Sequence, residues 1–362
     1  MMSSCFFFAK EMNWENYATS FENAALSNNF DASYVKRCLA YGKVLFDKSL
    51  PIIYSLDHLA NLVGYDSEFI VAVSFRQNGY YRNFFIPKKS GDYREISEPL
   101  PSLKIIQRWI TENILYRISA SRFAKAFVPT RSIKDNARFH KNQKLVLTVD
   151  IKDFFLSLSS KLVYKFFLGC GYSKRVSYFL TRLTTLNGSL PQGAPSSPYL
   201  SNLLFSESDE EISTFSRSEA IRYTRYADDL TFSGDFSPCK IITRVRRVLG
   251  KLDLRINEKK TRVMKPHQRQ IVTGIVVNNK LQAVREIRRN LRQNIHYIEK
   301  FGFEYHVARI REHRANYQFH LMGQANFILF INPRDKDAIF ALEVLRKNLQ
   351  HSANSESQHD NN

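Results

Sequence analysis

Cysteine is scarce and scattered. The chain has four in 362 residues, Cys5, Cys38, Cys170 and Cys239, with no CxxC pair and no metal-binding spacing. This excludes a disulfide scaffold and a zinc module, and fits reduced thiols in a cytoplasmic protein. Long apolar runs are missing too. No stretch reaches the roughly 18 to 20 residues of a membrane span. The cluster Cys5-Phe6-Phe7-Phe8-Ala9 is too short for a signal-peptide core and has no basic segment before it. No repeat at a solenoid period is present. Acidic residues are few, 34 against 53 Lys and Arg, which leaves a formal charge of +19.

What is there is a folded, basic chain. Hydrophobic residues at 44% and aromatics at 13% are too many for wholesale disorder. The length gives room for one large or two to three ordinary domains. The charge favours a polyanionic partner, because Lys and Arg that neutralise phosphates release condensed counterions. Solvated Lys/Arg faces give the same composition, so charge alone does not decide.

The pattern up to about residue 75 is helical. Phe84-Phe85-Ile86 and Tyr93-Arg94-Glu95-Ile96 predict two strands joined by the turn Lys88-Lys89-Ser90-Gly91-Asp92. A helix is expected over Leu103 to Ile118, then a β-rich run Leu145–Val149 that ends at Asp150. Ser197-Pro198 reads as an N-cap and first helical residue. Ile221 to Ser233 reads as strand, tight turn, strand, with Asp228-Asp229 near the tip. An amphipathic helix follows through Leu252, then a strand at Leu254–Ile256. From Val284 the pattern is helical again, with an apolar stripe at Ile287, Leu291, Ile295 and Ile298 and arginines at Arg285, Arg288, Arg289 and Arg292. The alternation predicts an α+β fold with helices on an antiparallel sheet. The polar end, His351 to Asn362, reads as a frayed tail.

Two carboxylate sites fall at strand ends, Asp150 and Asp228-Asp229. On neighbouring strands about 4.8 Å apart they converge and repel unless a cation joins them. Hard oxygen ligands select Mg²⁺ or Mn²⁺. An Asp-Asp pair by itself is also a common turn.

Three segments occur together and in order: Asp150-Ile151-Lys152-Asp153-Phe154-Phe155, Leu190 to Pro198 (LPQGAPSSP), and Tyr226-Ala227-Asp228-Asp229. In this the chain resembles the reverse transcriptases, over about Tyr80 to Pro333. Asn136-Ala137-Arg138-Phe139-His140 (NAxxH) and Val272-Thr273-Gly274 (VTG) narrow the resemblance to retron reverse transcriptases of bacteria, and Leu321 to Ile328 with Asn332-Pro333 fits the family's thumb. The resemblance implies a right-hand polymerase fold: an N-terminal helical extension (1–75), fingers (76–145), palm with an interleaved fingers segment (146–280), helical thumb (281–350) and disordered tail (351–362).

It also implies roles. Asp150, Asp228 and Asp229 would be catalytic and, with Ile151, would hold two Mg²⁺ ions, with Mn²⁺ as a substitute. Lys88, Lys89, Arg94, Phe155, Gln192, Gly193 and Lys260 would contact the incoming dNTP, Phe155 as a steric gate against a 2′-OH and Lys260 as a proton donor to pyrophosphate. RNA would be bound by Asn136, His140, Val272, Thr273, Gly274, Arg285, Arg288, Arg289 and Arg292. The implied partners are a cognate structured non-coding RNA, its single-stranded DNA product in a 2′–5′ branched hybrid, an effector protein in antiphage defence, and a host RNase H, since no such domain is read here. A membrane is not among them. The rival readings are another bacterial reverse transcriptase, of abortive-infection or intron-derived type, and a non-catalytic RNA-binding scaffold or antitoxin.

Overall fold

The structure, a computed structural model, describes residues 13–88 and 91–359, with side chains as far as 350. Four helices come first: α1 (Trp14–Ser27), α2 (Ala32–Asp47), α3 (Leu56–Val63) and α4 (Ser67–Phe75). The first three begin where Asn13, Asp31 and Ser55 accept a hydrogen bond from an amide of the opening turn. A hairpin β1 (Tyr81–Pro87), β2 (Tyr93–Pro99) leads to α5 (Pro101–Asn113) and α6 (Ile133–Phe139). Then come β3 (Leu145–Ile151), α7 (Phe154–Ser157), α8 (Ser160–Cys170), α9 (Lys174–Thr184), α10 (Ser197–Leu204) and α11 (Ser206–Ser218). The rest is β4 (Arg222–Tyr226), β5 (Asp229–Gly234), α12 (Pro238–Gly250), β6 (Ile256–Met264), the short β7 (Ile271–Val272), β8 (Ile275–Val276) and β9 (Gln282–Ala283), and the helices α13 (Arg285–Phe301), α14 (Phe303–Arg309), α15 (Tyr317–Ile331) and α16 (Lys336–His359).

The chain forms two compact units. The first holds the described residues up to Arg122, with Lys152–Glu210 and Val248–Arg255. Its centre is α9, which packs against α3, α4, α5 and α8 and buries Val176, Phe179, Leu180 and Leu183. Two buried glutamines satisfy carbonyls at the end of α9 that have no amide within the helix: Gln107 Nε2 donates to Leu183 O at 2.8 Å and Gln77 Nε2 to Thr185 O at 2.8 Å.

The second unit holds Phe123–Ile151, Glu211–Arg247 and the described residues from Ile256. Its sheet runs β4-β5-β3-β6, antiparallel throughout. Because side chains alternate, one face carries Leu147, Val149, Leu230 and Phe232, all fully buried, and the other carries Thr148, Asp150, Asp229 and Thr231. A second core joins Val272, Ile275 and Val277 to Leu291, Ile295 and Ile298 of α13, Leu321 and Ile328 of α15, and Leu345 of α16.

Some boundaries differ from those read in the sequence. α5 ends at Asn113 with Ile114 as its C-cap, and Leu115–Arg117 is a separate 3₁₀ turn. Ser196, not Ser197, is the N-cap of α10, so Pro198 sits in its first turn as the second helical residue. The strand expected at Leu254–Ile256 instead begins at Ile256 and runs nine residues, to Met264. α16 continues to His359, past the point where the polar tail was expected to start.

Candidate active site

The site is built on the polar face of the four-stranded sheet. Asp150 is the direct register partner of Asp229 across β3 and β5, so the two side chains emerge from the same face. Asp228 lies in the two-residue turn that joins β4 to β5, where Ala227 takes φ +57°. The Asp228 carbonyl accepts from the Ile151 amide at 2.9 Å, which ties that turn to the end of β3. This is the observed role of buried Ile151.

β6 supplies the counter-charge. Its register with β3 passes from Thr148↔Arg262 to Asp150↔Asn257, so Glu258 to Thr261 bulge opposite a single residue. Such a bulge re-aims a side chain, and here Lys260 Nζ reaches Asp150 Oδ2 at 3.0 Å. Asp150 is 6% exposed. Burial, then the charges of Asp228 and Asp150, push the Asp229 carboxyl up to about 7, against a smaller opposing pull from Lys260. Lys260 is shifted upward, first by its hydrogen bond with Asp150 and then by the Coulomb attraction of all three aspartates.

A cleft of about 710 Å³ opens on this face, lined among others by Thr148, Asp150, Asp229, Thr231, Lys260, Arg262, Arg269, Thr273 and Gly274. Among the described residues, no three His, Cys, Asp or Glu side chains stand in a metal-holding arrangement. The ammonium of Lys260 instead holds one of the Asp150 oxygens. The donor set nevertheless fits a hard divalent cation: it offers only carboxylate oxygens, and burial together with the charges of Asp228 and Asp150 makes the Asp229 carboxylate costly without a cation. Asp150, Asp228 and Asp229 are the residues that would hold it. When bound, such an ion activates a hydroxyl nucleophile and stabilises a leaving phosphate.

The NAxxH and VTG segments meet on the same sheet face. Asn136 and His140 are both fully buried, so neither side chain reaches the surface, and the sequence-based expectation that they touch RNA is corrected. Thr224 Oγ1 donates to Asn136 Oδ1 at 2.5 Å, and Asn136 Nδ2 is 3.5 Å from Thr273 Oγ1. His140 Nε2 lies 2.7 Å from Thr224 Oγ1, and its Nδ1 2.8 Å from Ser233 Oγ. The Thr224 hydroxyl has only one proton, already given to Asn136, so Nε2 must be the donor and Nδ1 accepts from Ser233. The result is a one-directional relay from Ser233 through His140, Thr224 and Asn136 to Thr273. It requires a neutral imidazole. Burial, with the charges of Arg222 and Lys125, drops His140 to about 3. The relay fixes the turn between β7 and β8, where Thr273 and Gly274 take φ +46° and +80°. Val272 is fully buried beneath it.

Of the arginines on α13, Arg285 and Arg289 are exposed. Arg288 is partly exposed and is tied down within the fold: its Nε donates to Asp335 Oδ2 at 3.0 Å, and Asp335 caps α16 through Ala338 N. Arg292 is mostly exposed, 3.6 Å from Asp337. The remaining nucleotide-contact candidates belong to the first unit. Lys88 and Arg94 are exposed on the β1–β2 hairpin, and Lys89 lies outside the described residues. Phe155, half-buried on α7, has its ring 5.5 Å from that of Phe154. Gln192 accepts from the Ser97 amide at 2.7 Å. Gly193 adopts φ +122°, and a Cβ there would lie 2.8 Å from the Ser97 carbonyl oxygen. Sequence reading missed Arg262 and Arg269, although Arg262 sits two residues after Lys260, the spacing of one strand face.

Comparison with known proteins identifies the family. The family model for reverse transcriptase (RNA-dependent DNA polymerase) matches residues 86–298. The retron Ec86 reverse transcriptase of Escherichia coli is 34% identical over 256 residues, 69% of this chain and 79% of that one. The retron Ec83 enzyme of Escherichia coli is 33% identical, over 74% and 88% of the two chains. The retron Mx65 enzyme of Myxococcus xanthus is 33% identical, over 72% and 63%. A solved telomerase from Candida albicans is a distant likeness, with 12% identity and a TM-score of 0.42 over 74% of this chain and 63% of that one. The chain belongs to the reverse transcriptase family, RNA-directed DNA polymerases with the right-hand polymerase fold, and within it to the retron reverse transcriptases. Enzymes of this family generally use divalent metal ions. No helix among the described residues is long and apolar enough to cross a membrane.

Proposed function

We propose that this enzyme copies part of a cognate structured RNA into single-stranded DNA, starting from a 2′-OH and leaving a branched RNA–DNA hybrid, and that it works with an effector protein in antiphage defence. The observation that carries the catalytic part is the register pairing of Asp150 with Asp229, with Lys260 beside them in a cleft of about 710 Å³. Two Mg²⁺ ions at Asp150, Asp228 and Asp229, with the Ile151 carbonyl as a further ligand, would serve the nucleotidyl transfer.

In this reading residues 76–145 serve as fingers, 146–280 as palm and 281–350 as thumb, with 1–75 as the extension that an effector would meet. Lys88, Lys89, Arg94, Phe155, Gln192 and Gly193 would receive the dNTP. Lys260 would release Asp150 to the cation and give its proton to departing pyrophosphate. Thr273 and Gly274 at the cleft, with exposed Arg285, Arg289 and Arg292, would bind RNA. The buried Asn136–His140 relay would hold the Thr273 turn in place. Support for the retron step comes from the relatives of 30–34% identity, all named for retrons.

The test is the nucleic acid that co-purifies from the native locus, resolved on a denaturing gel before and after RNase A, DNase and a debranching enzyme. A short DNA that shifts with RNase and again with debranching is the expected result. Unbranched DNA would remove the 2′-OH step and favour another bacterial reverse transcriptase. RNA alone, with no DNA even when dNTPs and Mg²⁺ are supplied, would favour a scaffold.

A further inference from the structure

A second cavity, of about 500 Å³, lies within the first unit. It is lined by residues 75–79 at the end of α4, by Arg182 of α9, and by Asn187-Gly188. The volume suits one small ligand or a single nucleotide. No Asp or Glu lines it.

Its walls are fixed by hydrogen bonds that leave the charged tips unspent. Arg182 Nε donates to the Ser74 carbonyl at 2.7 Å, which orients the guanidinium. Gln77, buried, gives its amide to the carbonyls of Arg182 and Thr185. Asn187 (φ +48°) and Gly188 (φ +81°) form a two-residue turn closed by mutual Leu186–Ser189 hydrogen bonds of 2.8 and 3.0 Å. That turn is pinned by the Ser160 amide on the Gly188 carbonyl at 2.7 Å. Neither Arg76 nor Arg182 forms an ion pair among the described residues. At the rim Phe75 is 63% exposed, and its ring lies 6.3 Å from that of Tyr178, which is 38% exposed.

Two guanidiniums without a carboxylate partner among the described residues, in a pocket that no Asp or Glu lines, select an anion with several oxygens. Exposed aromatics beside them select a flat apolar group attached to that anion. We propose that this pocket binds an unpaired stretch of the RNA the enzyme carries, a phosphodiester between Arg76 and Arg182 and a base against Phe75 and Tyr178. The assignment rests on the enzyme being RNA-directed, and not on the branched product. An acidic peptide would satisfy the arginines but would leave the rim aromatics without a role.

The test is fluorescence anisotropy with an unstructured RNA of about twelve nucleotides, within the usual single-strand site range, titrated across a series of KCl concentrations on the full chain. Arg76→Gln, at an exposed residue whose side chain forms no ion pair among the described residues, is expected to weaken binding about fivefold and to lower the salt slope by about 0.7, the contribution of one single-strand phosphate. Phe75→Ala is expected to weaken binding by a similar factor with an unchanged slope, since stacking releases no counterions. Arg182→Lys, which keeps the charge and loses the fork, should fall between wild type and Arg76→Gln. Extension of a preformed RNA–primer duplex at saturating concentration stays within about twofold in all three. Unchanged affinity and slope in both Arg76→Gln and Phe75→Ala would overturn the proposal. So would a loss confined to a DNA oligonucleotide, or competition by an oligoglutamate as effective as by RNA. Binding is read without turnover, so failure of the branched-product reading shows separately, on the gel.

Discussion

Thr224 sits in the middle of the buried relay, and Thr224→Val removes its hydroxyl while keeping its shape. Two groups then lose their partner at once: Asn136 Oδ1, which accepts at 2.5 Å, and His140 Nε2–H, at 2.7 Å. Each buried polar group left unsatisfied costs about 1–3 kcal/mol, so the expected loss for the two is about 2–6 kcal/mol in urea denaturation. The same relay has a pH signature. The folded pKa of His140 is about 3 against 6.5 for a free histidine. Between those values the unfolded chain binds a proton that the folded chain refuses. The contribution is therefore complete above about pH 6.5 and is lost as pH falls toward 3. At pH 5 the loss is about 2 kcal/mol. His140→Gln, which keeps a donor and an acceptor but cannot titrate, should lack this part of the acid slope when compared with wild type. A Thr224→Val cost below about 0.5 kcal/mol, or identical acid slopes for wild type and His140→Gln, would refute the relay.

Three further outcomes are expected. Proton and cation compete for Asp229, whose pKa is about 7. Half-saturating Mg²⁺ for polymerisation should therefore rise about tenfold from pH 8 to pH 6; equal values at pH 6 and pH 8 would contradict the shared site. In metal-free protein the same raised pKa acts the other way from His140: the Asp229 contribution is full below about 4 and declines as pH rises toward 7. Gly193→Ala puts a Cβ 2.8 Å from the Ser97 oxygen at φ +122°, and should cost about 1–3 kcal/mol by urea denaturation. Arg288→Ala removes the cationic partner of Asp335, which is 4% exposed and keeps hydrogen bonds from Gln282 Nε2 and the Ala338 amide, and should cost about 1–3 kcal/mol. Arg289→Ala should change stability by under about 0.5 kcal/mol and weaken RNA binding instead; equal destabilisation by the two would undo the distinction drawn on α13.

The strands and the acidic turn were legible because their chemistry is local. Leu145–Val149 alternates into Asp150, and the residues from Ile221 to Ser233 have the pattern of a hairpin. That Asp150 and Asp229 become register partners follows from sheet pairing, which no local pattern specifies. β6 was harder. Asn257 to Arg262 (NEKKTR) is polar because this strand lies at the sheet edge, so no apolar alternation extends the strand read at Leu254–Ile256, and the bulge that aims Lys260 at Asp150 is invisible. His140 and Asn136 misled for the opposite reason: polar residues in a motif suggest a surface, yet their partners, Thr224 and Ser233, lie over 80 residues away and bury them. Arg288 could not be told from Arg289 by sequence, since only the position of Asp335 at the start of α16 separates them.

The central claim is that Asp150, Asp228 and Asp229 form the centre that copies RNA into DNA. Its most direct test is extension of a primed RNA template by wild type and by Asp228→Ala/Asp229→Ala, with RNA affinity measured on the same preparations. The account predicts DNA synthesis that chelation abolishes and Mg²⁺ restores in wild type, and no product from the variant at unchanged RNA affinity. Synthesis by the variant, or synthesis by wild type that persists in chelator, would contradict it.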